Sequence, residues 1–424
     1  MTNLEPTDLR ELDVSDLWLL PLFLFALSAP VSVAGGNLTA ALVVLAGATA
    51  LLRRRAVNPS ALRRIALALL AVLVWNTVSC VFAAGGDRQW LKLGEEWWMK
   101  LMVLAVPLVL AGAGRRRSHV VATLLAGGSF IAAYGILQHF TGQDLWRHRA
   151  LQTTEGSFLT VGFTGHHLSF GGQLMYLAAA AAGVTLAAAA GGVRRWIGPA
   201  AATALILLAL VWSLARSSLL AVGAAGVFLV VIQTGRSRRL GSALLVAGVL
   251  AVALTPSLRG RMLATFTNPK EVTRLNLWRS SVAGITARPV TGWGPGNFDR
   301  LLAEHEYPGY YEVRGHAHND FLMQAVNSGV PGLLAFLWLH GEIFGLLWRM
   351  RLRWGDPGGL MAGAMACQVA ALVGGVFQVF QTDDEPEMLL YFILGCGVAA
   401  AVGALARADR PGANSDQPRP LPAE

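Results

Sequence analysis

The sequence predicts an all-α polytopic membrane protein with about twelve transmembrane helices. Of its 424 residues, 54% are apolar and only 14% are charged, whereas an ordinary soluble domain carries about 25% charged residues. Apolar runs of the length that crosses a bilayer, roughly 17–25 residues, recur from one end of the chain to the other. This composition excludes a disordered chain and argues against a soluble enzyme.

Twelve apolar runs are predicted to be helical, because the bilayer interior holds no water and each backbone polar group must pair within its own segment. Their many Ala and Gly residues favour close helix packing. The chain is predicted to contain nine helices in residues 1–255, a polar loop over 256–327, three helices in 328–406 and a tail over 407–424. The predicted spans are 17–34, 38–52, 63–84, 97–113, 119–140, 168–190, 196–212, 217–233, 240–255, 328–348, 359–380 and 387–406.

The positions of arginine and lysine predict which side each loop faces. Loops after the even-numbered spans hold sixteen of these residues, and the short loops after the odd-numbered spans hold five. Cytoplasmic loops carry the excess of positive charge, so the even loops and both termini are predicted to be cytoplasmic. The net charge of +9 therefore reflects topology, and we expect no nucleic-acid partner.

The outer loops are where we expect the chemistry, because loops held by a rigid scaffold often carry functional residues. Within the long loop 256–327, residues 271–287 alternate apolar and polar side chains and are predicted to form a helix along the membrane surface. The loop before span 12 is acidic. Its Asp383 and Asp384 could orient a cation or a substrate hydroxyl, although solvated loop acids are the commoner case.

Arg216 is the first candidate site residue and lies at the outer junction of the seventh and eighth spans. A cation at a helix end often only extends to the membrane surface. The positive-inside bias disfavours a lone arginine on this side, and ionisable residues at membrane depth are costly and usually functional. We therefore favour a functional role.

The second candidate is the segment 288–298, Arg-Pro-Val-Thr-Gly-Trp-Gly-Pro-Gly-Asn-Phe. Closely spaced glycines can cradle a phosphate with backbone N–H groups. That interpretation places Gly294, Gly296 and Asn297 in the cradle, with Arg288 pairing with the anion. No strand precedes the segment, so it is not a dinucleotide fingerprint. The alternative is a tight turn between surface helices.

A third candidate lies just before span 10 and comprises Arg314, His316, His318, Asn319 and Asp320. Histidine titrates near neutral pH, so two histidines beside the membrane form a plausible acid/base centre. The His-x-His pair with Asp320 or His305 could instead hold zinc. No third ligand at standard spacing supports zinc, and we expect no metal. Surface histidines in a polar loop are the remaining alternative.

Together these residues resemble the signature of the O-antigen ligase and polymerase superfamily. His318-Asn319, followed after nine residues by Gly329-x-x-Gly332, carries the resemblance, and so does the segment 288–298. Residues 134–144, Tyr-Gly-x-Leu-Gln-x-Phe-Thr-Gly-x-Asp, are similar to the same family. So is the arrangement of twelve spans with one large, late periplasmic loop. One departure is Gly165-His166-His167, where relatives often carry Gly-Asn-Pro.

The resemblance implies a GT-C-type glycosyltransferase on the outer face of the bacterial inner membrane. Its donor would be an O-antigen glycan on undecaprenyl diphosphate, and its acceptor the lipid A–core. Polymerases and protein O-oligosaccharyltransferases belong to the same superfamily. The His-Asn-x9-Gly-x-x-Gly match favours the ligase, and the short tail after span 12 argues against the protein-glycosylating branch.

The expected mechanism is a single displacement with inversion that needs no cofactor or metal. His318 would take the proton of the acceptor hydroxyl, and His316 could orient His318 or the acceptor. Preorganised cations would stabilise the departing diphosphate, namely Arg216 and Arg288, with Arg147 and Arg314 as weaker candidates. A twelve-span transporter is the alternative from another class, but its charges would lie at the bilayer midplane, whereas these residues cluster in outer loops.

Overall fold

The computed structural model describes residues 14–53, 59–83, 86–110, 113, 116–154, 156–190, 193–256, 260, 269–305, 307 and 316–408. Eight helices in this part of the chain are long and apolar enough to cross a membrane, so the chain is a multi-pass membrane protein. The other four predicted spans correspond to shorter helices, and the count of twelve remains a prediction.

Most helices follow one another with short connections, and the longest described connection, residues 142–166, joins α6 to α7. In chain order they are α1 (Leu20–Ser28), α2 (Val33–Leu52), α3 (Pro59–Phe82), α4 (Asp87–Lys100), α5 (Met102–Leu110), α6 (Arg116–Thr141), α7 (His167–Ala190), α8 (Val193–Ser213), α9 (Arg216–Ile232), α10 (Gly235–Leu254), α11 (Pro269–Ala287), α12 (Phe298–His305), α13 (Asp320–Trp354), α14 (Leu360–Gly375) and α15 (Asp384–Ala408). A 3-10 helix, Val14–Leu19, precedes α1.

Two small antiparallel pairs lie between α6 and α7 and were not predicted. The strands are β1 (Gln143–Asp144) with β2 (Arg149–Ala150), and β3 (Thr153–Thr154) with β4 (Ser157–Phe158). Predicted boundaries also shift where a cap or break intervenes. The run 17–34 divides because Pro30 lacks an N–H and the Ser32 hydroxyl caps a new helix by accepting from the N–H of Gly35 at 3.1 Å.

The bundle packs around α7, α14 and α15, which are largely buried. Small residues bring α7 and α14 together: a Cβ atom on Gly183 would lie 2.5 Å from the Cα of Gly363. In contrast, α10 has a mostly exposed surface and lies at the edge of the bundle. Such close backbone contact between apolar helices is typical of packing in lipid.

The long helix α13 begins eight residues before the predicted span and is broken at Ser328 and Gly329. The break frees two carbonyl groups, because Pro331 has no N–H to donate to Asn327 and the N–H of Val330 donates instead to Pro289 at 2.8 Å. The segment 288–298 fills the gap. Its amides at 293 and 294 donate to the carbonyls of Val326 and Asn327 at 2.7 and 2.9 Å.

Replacing Gly329 by alanine should lower the free energy of unfolding by about 1–3 kcal/mol or more. Gly329 has φ +68° and ψ −177°, a conformation that essentially only glycine adopts, and a Cβ atom there would overlap the carbonyl of Val290. Gly341→Ala on the same helix is the matched control, because a Cβ atom at that position would have no neighbouring atom within 4 Å. Equal thermal unfolding midpoints for the two purified variants would contradict this account of the break.

Candidate functional site

His318 is a buried histidine held in a strained turn at the start of α13. Its backbone has φ +51°, and its side chain is largely enclosed. Its Nδ1 lies 2.7 Å from Oε1 of Gln378. Because an amide oxygen can only accept a hydrogen bond, this contact places the proton on Nδ1 and makes Nε2 the basic nitrogen of the neutral ring. The His318 N–H donates to Nδ1 of His316 at 3.3 Å.

The residues between α14 and α15, 376–383, form what we call the crossover segment, and α13 holds this segment in place. The Asn319 side chain caps α13 through the N–H of Leu322 and donates to the carbonyl of Val376 at 3.0 Å. The buried Asp320 carboxylate accepts from the N–H groups of Phe380 and Gln381, both at 3.1 Å. Gln378 is thereby fixed against His318.

A second polar contact anchors the crossover segment to the interior of the bundle. Oε1 of Gln381 lies 3.0 Å from Nε2 of His340 and 3.2 Å from the hydroxyl of Tyr391. His340 also contacts Gln368 through Nδ1 at 3.1 Å. All four side chains are buried. Hydrogen bonds between buried side chains rigidify the elements that carry them, so this network fixes where the crossover segment leaves the bundle.

Arg288 lies beside the same centre. Its guanidinium stacks on the indole of Trp293, with Cζ 4.0 Å from the ring centroid, and makes no hydrogen bond or ion pair within the described residues. Trp293 shares a hydrophobic cluster with Ala317 and Val379, the sequence neighbours of His318 and Gln378. A guanidinium held by stacking keeps its hydrogen-bond donors available for an anion.

In this structure the glycines of the segment 288–298 let its backbone dock onto neighbouring helices and do not form a phosphate cradle. The amides of Gly292, Trp293 and Gly294 donate to protein carbonyls. The side chain of Asn297 is buried and donates to Trp293 and Gln89 at 2.9 and 3.2 Å. Gly296 packs on α4, since a Cβ atom there would lie 2.9 Å from the Lys92 side chain. The segment docks onto α13 and α4 and positions Arg288.

Arg216 is the first residue of α9 and is half-buried. The helix packs against α7 and α14, and its first turn lies against Gly171 of α7. Ser169, two residues before Gly171, donates to Asp383 of the crossover segment, so Arg216 lies at the same end of the bundle as His318. The structure therefore places Arg216, Arg288 and His318 at one end of the bundle, while Arg314 lies outside the described residues.

A mostly apolar groove of about 960 Å³ opens beside His318. It runs along α11, which is joined to the turn before His318 by a 3.1 Å hydrogen bond from Trp278 to the carbonyl of Ala317. The groove lining includes Leu275, Trp278, Val282, Ala283 and Leu322, with Arg279, His305, Tyr307 and Asn319 as polar groups.

Arg147 lies elsewhere at this end, in the β1–β2 turn. Its guanidinium donates to the carbonyl of Phe163 at 2.6 Å and lies 3.7 Å from the buried carboxylate of Asp144. Arg149 approaches the same carboxylate at 3.4 Å. The contacts tie Arg147 to the loop before α7 rather than to His318.

The acidic loop before the last span is less solvated than the sequence suggested. Asp383 accepts from the Ser169 hydroxyl at 2.6 Å, and burial raises the pKa of the Asp383 carboxyl above its usual value. Glu387 is fully buried and pairs with the buried Lys100 of α4. Asp383, one of the two acids expected to be solvated, therefore contacts α7, and Glu387 contacts α4.

No group of three His, Cys, Asp or Glu side chains in the described ranges is arranged to hold a metal ion. The zinc alternative also meets specific obstacles, because Asp320 is engaged with backbone amides and the ring of His305 packs edge-on against Trp293.

Sequence reasoning missed Gln378, Gln381 and the Lys100–Glu387 pair. Their only sequence signal was a polar residue within or beside an apolar run.

The fold and this site define a multi-pass membrane protein with a buried histidine, two arginines and an apolar groove at one end of its bundle. A family model described as O-antigen ligase matches residues 201–337, about a third of the chain. The match supports membership of the O-antigen ligase superfamily and confirms the resemblance seen in the sequence. The matched region contains Arg216, Arg288 and His318. Comparison with curated proteins gave no match.

Proposed function

We propose that the protein is an O-antigen ligase of the bacterial inner membrane, with its active site facing the periplasm. It would transfer O-polysaccharide from undecaprenyl diphosphate to the lipid A–core. Members of the superfamily are glycosyltransferase-like ligases and polymerases. The observation that carries the proposal is the buried His318 with Nδ1 fixed by Gln378, inside the matched region and at the end of an apolar groove.

The donor would bind with its polyprenyl chain in the groove along α11 and its diphosphate near Asn319. Departure of the diphosphate develops negative charge, which fixed cations in a partly dry site stabilise well. We assign Arg216 and Arg288 to this charge. Arg288 is well suited, since stacking on Trp293 fixes its guanidinium and leaves its donors available.

The transfer step requires a base for the acceptor hydroxyl. Nε2 of His318 takes the hydroxyl proton while the hydroxyl oxygen forms a bond to C1 of the donor sugar. The bond between C1 and the diphosphate oxygen breaks, and the electron pair leaves with the diphosphate. The result is a single displacement with inversion at C1. The sugar–diphosphate bond is already activated, so the step needs no other energy source.

A polymerase of the same superfamily is the second candidate, because the family match covers both activities. The chemistry at His318 would be the same, and only the acceptor differs: a second lipid-linked repeat in place of lipid A–core. The geometry of the base and the arginines does not depend on this choice.

A lipopolysaccharide gel tests the proposal. A strain that lacks the gene should lose the whole O-antigen ladder and accumulate O-polymer on its lipid carrier. Complementation with the unaltered gene should restore the ladder, and His318→Ala should not. Core that carries a single repeat unit would instead indicate the polymerase. An unchanged ladder would rule out both activities.

A further inference from the structure

The β1–β2 turn, residues 144–149, holds two arginines on one buried carboxylate. Asp144 is completely buried, and the Tyr134 hydroxyl donates to its Oδ1 at 2.9 Å. Nη1 of Arg147 and Nε of Arg149 lie 3.7 and 3.4 Å from Oδ2. The two arginine side chains remain 33% and 49% exposed. A buried anion therefore fixes two cations that face outward.

These guanidiniums keep positive charge and free donors. Nη2 of Arg147 donates to Phe163, and Nη2 of Arg149 donates to Gly165 at 2.8 Å. Nη1 of Arg149 makes no hydrogen bond or ion pair to any described residue. Two cations on one carboxylate leave a net charge of +1. Fixed guanidinium forks suit phosphate, which they bind in a bidentate way.

Exposed apolar side chains surround the same turn. Leu145 and Trp146 within it are 53% and 63% exposed, and Phe140, in the last turn of α6, is 70% exposed. Tryptophan and arginine side by side at the end of a spanning helix are typical of the lipid headgroup level. The phosphate that suits this turn therefore belongs to a membrane lipid rather than to a soluble anion.

We propose that the 144–149 turn binds a phosphate of the glycolipid acceptor. Identifying the acceptor rests on the proposed function. The donor is the poorer fit, because its diphosphate is the leaving group and must lie beside the base. Among the described residues, contacts link the turn to His318 through Gly165, the start of α7, and the Ser169–Asp383 contact with the crossover segment. A phosphate of the acceptor, by contrast, need not lie beside the reacting hydroxyl.

Binding to the full chain in phosphatidylcholine nanodiscs tests the site. The probes are lipid A–core and the same lipid after phosphatase treatment. Arg149→Gln should weaken binding of the phosphorylated probe about tenfold, the effect of losing one charge-assisted contact. Arg149→Lys should give a smaller loss, because the charge remains without the fork. The double variant Arg147→Gln/Arg149→Gln should bind both probes equally.

Lys92→Gln is the matched control, since Lys92 is also a half-exposed cation at this end of the bundle and its loss should not change binding. Equal binding of both probes by the unaltered protein, or no effect of Arg149→Gln, would overturn the proposal. So would equal competition by nanodiscs that contain phosphatidylglycerol, because the turn would then bind any lipid phosphate. His318→Ala should keep binding and lose transfer. If it kept transfer, the proposed mechanism would fail while the binding result stood.

Discussion

Alanine at position 318 is expected to lower the rate of glycan transfer by about 10²- to 10⁴-fold, the contribution of a positioned acid–base group. The loss should appear in kcat with purified donor and acceptor lipids, because His318 would act in the transfer step and not in holding either lipid. His139→Ala is the matched control. That histidine stacks on Trp212 with ring centroids 4.7 Å apart and has no role in the mechanism.

Gln378 supplies a sharper version of the same test. Its amide oxygen accepts from Nδ1 of His318, and an amide carries no charge. Gln378→Glu would place a carboxylate there, which stabilises the protonated imidazolium. The acidic limb of the pH–rate profile should then move to higher pH, because the base acts only when Nε2 is unprotonated.

A purely structural Gln378 predicts a different result. Gln378→Ala and Gln378→Glu would then lower the rate by a similar factor at every pH, without moving the profile. Near-normal transfer by His318→Ala would contradict the assignment of the base altogether.

Local signals explain why much of the fold could be predicted. A long apolar run must form a helix in lipid, so the eight long helices lie where hydropathy placed them. Two segments that resembled the superfamily separately, 288–298 and 318–332, prove to be one structural unit. The amides of the first segment satisfy the carbonyls that Gly329 and Pro331 leave open in the second. Glycine and proline mark such a break, but they do not show what fills it.

Features that depend on distant partners could not be predicted. Three closely spaced glycines suit a phosphate cradle and a docking turn equally well, and only the carbonyls of α13 decide between them. Gln378 lies sixty residues after His318, within the predicted eleventh span, where a single glutamine carries no sign of its partner. Arg147 was expected in an outer loop as a possible diphosphate ligand, but the sequence could not show that Asp144 determines which way its guanidinium points.

The second large effect is expected for the buried ion pair between Lys100 and Glu387. Their side chains are 5% and 0% exposed, and they join α4 to the first turns of α15. Glu387→Gln removes the negative charge that balances a buried ammonium group. Breaking a buried pair from one side costs about 3–5 kcal/mol. The thermal unfolding midpoint of the purified variant should fall well below that of the unaltered protein, and Lys100→Gln should behave similarly.

The double variant Lys100→Met/Glu387→Leu separates the ion pair's effect on stability from its effect on position. Replacing a whole buried pair by apolar side chains is often neutral or stabilising, so the double variant should unfold at a higher temperature than either single variant. Additive losses would contradict the pair as the cause. Glu387 lies four residues beyond the crossover segment that carries Gln378. If the double variant is stable but transfers glycan slowly, the pair serves to fix the start of α15, and with it the residue that orients His318.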